Sequence, residues 1–164
     1  MERVQITQGL SAGPDRFPDV VMLPDGRLLL LFERYYPSRS RDEARNLWQE
    51  LVLLESCDGG RTWGRERVLS HMDRDRGLWN YCKMVLLSDG RLCVSSVLSG
   101  EGMLFWSEDM GTTWSGPHPT GVEGIQVSAV VELPDGTLGM GAVSYTHLRA
   151  HETRHDLVCR LLLE

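Results

Sequence analysis

Ser56-Cys57-Asp58-Gly59-Gly60-Arg61-Thr62-Trp63 returns 51 residues later as Ser107-Glu108-Asp109-Met110-Gly111-Thr112-Thr113-Trp114. The two octets agree at Ser, Asp, Gly, Thr and Trp, at the same spacing. These are the residues of a tight turn. The Asp carboxylate can accept hydrogen bonds from the turn's own N–H groups, and the Gly takes a positive φ that other residues resist. The Trp adds a large apolar body that can wedge beside a neighbouring sheet. Ser56, Asp58, Gly60 and Trp63, and Ser107, Asp109, Gly111 and Trp114, are therefore expected to be elements of the fold.

A second turn recurs three times: Leu23-Pro24-Asp25-Gly26, Leu87-Ser88-Asp89-Gly90 and Leu133-Pro134-Asp135-Gly136. The x-Asp-Gly pattern suits a type I turn closed by a glycine bulge, the corner of a hairpin. Apolar runs flank each copy: Val20 to Leu23 and Arg27 to Phe32, Met84 to Leu87 and Leu92 to Val97, Val127 to Leu133 and Leu138 to Val143. Others precede the octets, Leu51 to Leu54 and Met103 to Trp106. Short apolar runs bounded by breakers read as buried strands.

One unit is thus strand, Asp-Gly turn, strand, loop, strand, octet, strand. The first spans about 17–69 and the second about 80–118. A third starts near 125 and supplies two strands. Four-stranded meanders repeated every ~45–60 residues are the blades of a β-propeller. Such units can also stack as a sandwich, but the matching turn chemistry in each favours the propeller. The expected fold class is all-β, about two and a half blades.

Composition agrees with a globular chain. Of 164 residues, 41% are hydrophobic and 24% charged, and no apolar run approaches a membrane span. Net charge is −6, from 17 Lys+Arg against 23 Asp+Glu, which argues against a nucleic-acid partner. Neither a membrane partner nor a cofactor is expected. Met1 to Gln5 carries no secretory pattern, so the default expectation is the cytoplasm. The cysteines at 57, 82, 93 and 159 form no C-x-x-C and are expected to be free thiols.

The octets resemble the Asp box, or BNR repeat, of the sialidase (neuraminidase) superfamily. The resemblance covers about 14–143 and implies part of a six-bladed propeller. In a meander blade, the Asp-Gly turns and the octets share one rim. The opposite rim would carry the stretch Gly13 to Phe17, the loop 34–48, the connector 70–80 and the segment 119–124. Long loops on a repeat scaffold are functional candidates. Arg16-Phe17-Pro18 resembles the family's Arg-Ile-Pro signature, whose arginine grips the sialic acid carboxylate. A planar guanidinium fork suits that task. Phe32-Glu33-Arg34 resembles the Glu-(x)-Arg element, which makes Arg34 a second substrate-binding candidate, although it could simply pair with Glu33 or Glu50. Arg39-Ser40-Arg41-Asp42-Glu43-Ala44 resembles the segment that carries the acid/base aspartate, at Asp42. This is also a run of charge that could be a solvated loop. Asn80 stands where relatives often have Asn-Pro, with Tyr81 in the proline's place.

The resemblance implies a glycoside hydrolase acting on terminal sialic acid or a related acidic sugar. Its tyrosine nucleophile and the glutamate that activates it would come from later blades. Residues 1–143 would then be an inactive N-terminal part of such an enzyme. The alternative is a non-catalytic propeller that binds glycan or protein. Residues 144–164 lack both turns and are expected to be a non-native tail. Within it, His151-Glu152-Thr153-Arg154-His155 matches the zinc pattern H-E-x-x-H, but no metal site is expected, because too little chain follows to supply another ligand.

Overall fold

The computed structural model describes residue 6 and residues 15–36, 48–73, 77–144 and 156–162, the last segment by its backbone alone. The chain divides into two compact units, Met1–Cys82 and Lys83–Glu164. Regular structure among the described residues is entirely β. Strands β1 (Asp15–Met22), β2 (Leu28–Tyr36), β3 (Trp48–Ser56) and β4 (Gly64–Asp73) form one sheet in the order β1-β2-β3-β4. A second sheet has the order β5 (Trp79–Leu86), β6 (Leu92–Leu98), β7 (Glu101–Ser107), β8 (Ser115–Glu123). In the third, β9 (Gln126–Val127) and β10 (Val131–Glu132) both pair with β11 (Leu138–Ser144), which pairs with β12 (Asp156–Leu162).

The Asp-Gly corners repeat closely. Leu23, Leu87 and Leu133 each donate their N–H to the residue four positions on, at 2.8, 2.9 and 2.8 Å. Gly26, Gly90 and Gly136 donate back to those leucines and hold φ of 85, 88 and 84°. The Asp of each corner accepts the N–H two residues on, from Arg27, Arg91 and Thr137. This is a β-turn with its last residue left-handed, a conformation glycine adopts at little cost.

The octets are closed by their side chains. Ser56 Oγ donates to Asp58 Oδ1 at 2.8 Å, and the Gly60 N–H donates to Ser56 Oγ at 2.9 Å. Thr62 donates its N–H and its hydroxyl to the two oxygens of Asp58. Trp63 Nε1 donates to the Gly60 carbonyl at 3.0 Å. Ser107, Asp109, Gly111, Thr113 and Trp114 make the same five bonds at 2.7–3.1 Å. At one of the three positions where the octets differ, Gly59 (φ 72°) is matched by Met110, which holds a left-handed φ of 55°.

Both faces of the first sheet are buried at its centre. Strand alternation sends Leu29, Leu31, Leu51 and Leu53 to one face, all of them buried. It sends Leu30, Phe32, Val52 and Leu54 to the other, where Trp63 packs on them. The second unit gathers Cys93, Val97, Leu104, Val122, Val127, Val130, Met140 and Ala142.

Several expected boundaries move. The loop placed over 34–48 starts after Tyr36, because Tyr35 and Tyr36 pair with Gln49 and Trp48. Most of 119–124 lies within β8. The strand expected over 127–133 is broken at Ser128. That hydroxyl accepts the Gly141 N–H at 3.0 Å and donates to the Ala129 carbonyl at 2.8 Å, so a side chain takes over part of the ladder. The third sheet has more than the two strands expected, since Asp156–Leu162, which the sequence places in the tail, pairs with β11 from Ser144↔Asp156 to Leu138↔Leu162. The H-E-x-x-H stretch lies outside the described residues. Cys57, Cys82 and Cys93 are free thiols.

The octets carry an acid dependence. Bonds from Thr62, side chain first, hold the Asp58 carboxyl at about 2, and bonds from Thr113, backbone first, do the same for Asp109, against 3.8 for an ordinary aspartate. A folded-state value below the unfolded one contributes stability that is present above pH 4 and lost as pH falls through about 2. The double variant Asp58→Asn, Asp109→Asn is expected to melt at lower temperature at pH 7. Its melting temperature should also change less between pH 4 and pH 2 than that of the parent.

Candidate functional site

The register of the first sheet sorts its two ends. Leu28↔Ser56 sits at the octet end, and Asp15↔Arg34, Arg16↔Glu33 and Tyr36↔Trp48 sit at the other. Arg16 therefore lies on the rim opposite Trp63.

A bulge decides where Arg16 faces. From Met22 back to Asp19, β1 pairs with β2 in one register; at Arg16 the register has shifted by one, with Phe17 and Pro18 between. A shift of one residue turns a side chain to the other face of a sheet. Unshifted, Arg16 would share a face with Arg34; shifted, it shares one with Glu33. The sequence supplies the means. Pro18 has no N–H for the ladder, and Phe17 takes a left-handed φ of 50°. Tyr81 is also left-handed, at φ 59°, and the Phe17 and Tyr81 rings meet with centroids 4.5 Å apart. The buried Cys82 thiol donates to the Phe17 carbonyl at 3.3 Å. Left-handed non-glycine residues cost about 1–2 kcal/mol each and persist where their surroundings fix them, as the tilted contact between these two rings does.

Around Arg16 lies a polar cluster in an otherwise apolar face. The Arg16 guanidinium sits 4.8 Å over the Tyr35 ring. The Tyr35 hydroxyl donates to Glu33 Oε2 at 3.4 Å. Glu33 is fully buried and also accepts from Gln49 Nε2 at 3.1 Å and from the Cys82 N–H at 3.2 Å. Gln49, equally buried, gives its other proton to the Trp79 carbonyl at 2.8 Å, and its Oε1 has no partner among the described residues. Burial pushes the Glu33 carboxyl up to about 7, against the opposing pull of the Cys82 N–H, Tyr35 and Arg16. Burial also raises the Tyr35 phenol, to about 12.

Arg34 reaches the same end of the sheet on the other face. Its guanidinium folds back over the Phe32 ring, 5.5 Å away, and grips Glu66 with both terminal nitrogens at 2.7 and 2.8 Å. Glu50 lies 3.7 Å off, and the Tyr36 hydroxyl accepts at 3.4 Å. The Glu66 hydrogen bonds raise the Arg34 pKa further. The structure thus separates the two arginines by the thickness of the sheet. Of the two acids weighed as partners from sequence, Glu50 is near, while Glu66, 32 positions away in the chain, holds the bidentate pair. Asn80 is half-buried at the second position of β5, between Trp79 and Tyr81. Asp42 lies outside the described residues. Among the described residues, no three His, Cys, Asp or Glu side chains gather to hold a metal ion.

Sequence reading passed over Glu33 and Gln49 as site residues. Their signal was available: each is a polar residue at a position whose alternates, Leu29 and Leu31 or Leu51 and Leu53, are all core.

Solved structures match this chain of sheets. An α-L-arabinofuranosidase of Fusarium graminearum, held with an iminosugar inhibitor, matches with TM-score 0.57 and 20% identity, over 90% of this chain and 45% of that one. An endo-arabinase of Bacteroides thetaiotaomicron matches at 0.55 and 14%, over 92% and 56%. A Hadza microbial sialidase matches at 0.54 and 16%, over 94% and 34%. The fold is that of a partial β-propeller. The chain spans between about a third and three fifths of the length of such structures. No family model matches the sequence, and no curated protein is significantly similar to it.

Two outcomes follow from the paired charges. Glu66→Ala takes the main partner from a buried guanidinium; because Glu66 is itself partly exposed and Glu50 stays near, the expected cost in denaturant unfolding is about 1–2 kcal/mol. Arg34→Met, which removes the buried charge itself, should cost less. For Glu33, a folded value raised above 4.5 means stability that is fully present below pH 4.5 and lost as pH rises through about 7. Glu33→Gln is expected to abolish that slope and to gain on the parent by roughly 3 kcal/mol above pH 8.

Proposed function

We propose that this chain is the leading part of a sialidase-like glycoside hydrolase, with octets of the Asp-box type. On this reading, Arg16 takes the carboxylate of a terminal sialic acid or related acidic sugar. The observation that carries it is the placement of Arg16. It lies on the rim away from the octets, turned by the Phe17-Pro18 bulge toward Tyr35 and Glu33. A cation held over an aromatic ring is pre-aimed, so less side-chain entropy is lost when an anion docks. The likeness to a sialidase and to two arabinan-degrading enzymes supports a sugar ligand. Asp42 is assigned the acid/base role on the motif it resembles, and Asn80 a place beside the sugar.

The Tyr–Glu nucleophile pair of such an enzyme belongs to blades beyond these, so this chain is expected to bind without turnover. A second reading has its own support. Arg34, the other arginine the motif supplies, is engaged by Glu66 on the far face. A pocket with fewer free arginines suits a neutral sugar or a non-catalytic glycan binder.

Titration of the chain with N-acetylneuraminic acid, its methyl ester and arabinose, followed by NMR, separates these readings. The acid is expected to shift the Arg16 and Tyr35 resonances, the ester at least ten-fold less effectively, and Arg16→Ala to lose the response. Equal response to the acid and the ester would overturn the acidic-sugar reading. Hydrolysis of a fluorogenic sialoside by this chain would overturn the division of the active site between blades.

A further inference from the structure

We infer that Glu33 is a positioning residue for Arg16, and that the proton it gains or loses sets how strongly this rim holds a carboxylate-bearing sugar. The inference rests on the acidic-sugar reading above.

Arg16 and Glu33 face each other as register partners on neighbouring strands, a separation at which opposite charges interact directly. Tyr35 joins them, with its ring under the guanidinium and its hydroxyl on Glu33 Oε2. Glu33 has no freedom to swing away. Oε1 is held by the Cys82 N–H, and Oε2 by Gln49 and Tyr35. The groups that face it are Arg16 and Asp19 from β1, Tyr35 from β2, Gln49 from β3, and Trp79, Tyr81 and Cys82 from the end of the unit. Arg16 is the cation among these described residues.

An ionised Glu33 cancels part of the Arg16 charge and repels an incoming carboxylate. A neutral Glu33 leaves the whole charge of Arg16 to the ligand. The carboxyl is poised to change state near neutrality because it is cut off from water. Among the described residues, the neighbouring Gln49 leaves its buried Oε1 without a hydrogen-bond partner, and a carboxyl O–H is a donor that a carboxylate lacks. Binding of the anion and uptake of one proton from solvent by Glu33 are therefore linked, each favouring the other.

The test uses the whole chain and two measurements. Without ligand, the Arg16 Nε–Hε NMR resonance is expected to titrate with a midpoint near 7. Glu33→Gln should abolish that titration, and Glu66→Gln, on the opposite face, should leave it unchanged. With N-acetylneuraminate, which stays anionic throughout, affinity is expected to be about ten-fold higher at pH 5.5 than at pH 8.5, the effect of one charge removed several ångströms away. Glu33→Gln should bind equally at both pH values. An Arg16 signal that ignores pH, or that still titrates in Glu33→Gln, overturns the inference whatever the ligand does. A coupled Arg16 signal with no N-acetylneuraminate binding at either pH overturns the acidic-sugar reading instead, and leaves Glu33 a structural carboxylate.

Discussion

In each octet one aspartate carboxylate collects three hydrogen bonds from within its own turn, and that closure fixes where two strands end. Because the Asp58 and Asp109 turns are built alike, the strands they join start and stop at matching places. The Asp-Gly corners lie at the same end, so one rim of each sheet is filled by turn chemistry. The opposite rim of the first sheet is left to other uses. Arg16, Glu33, Tyr35 and Gln49 gather there because nothing in the corner chemistry competes for the space.

Much of this architecture could be read from residue types. Pro24-Asp25-Gly26 and its two counterparts state their hairpins outright, since each residue has a conformational reason to be there. The site was less legible. Arg16 is visible as a candidate, but the face it occupies depends on a one-residue shift at Phe17-Pro18, and strand alternation alone predicts the wrong face. Arg34 has the same local look as a ligand-binding arginine. Its fate is decided by Glu66, which comes near only once β4 is laid against β3. Pairings between distant residues are what a linear reading cannot see.

The buried polar residues follow a single logic. Glu33 and Gln49 interrupt runs that are otherwise leucine, and both cost free energy to bury. Glu33 recovers part of that cost from three donors, and Gln49 from two acceptors. Among the described residues, the Gln49 carbonyl is one buried polar atom left without a hydrogen-bond partner. Arg34 shows the other solution on the opposite face, where a buried cation is neutralised by a bidentate carboxylate and by a second acid nearby.

Met110 occupies the left-handed corner that Gly59 fills in the first octet, and it is 40% exposed. Side-chain bonds from Ser107, Asp109, Gly111 and Thr113 on either side close its turn. The position already carries a long unbranched side chain in an unfavourable backbone conformation. It is thus a natural attachment point for a fluorophore or spin label, giving a reporter on a rigid corner remote from Arg16 in sequence.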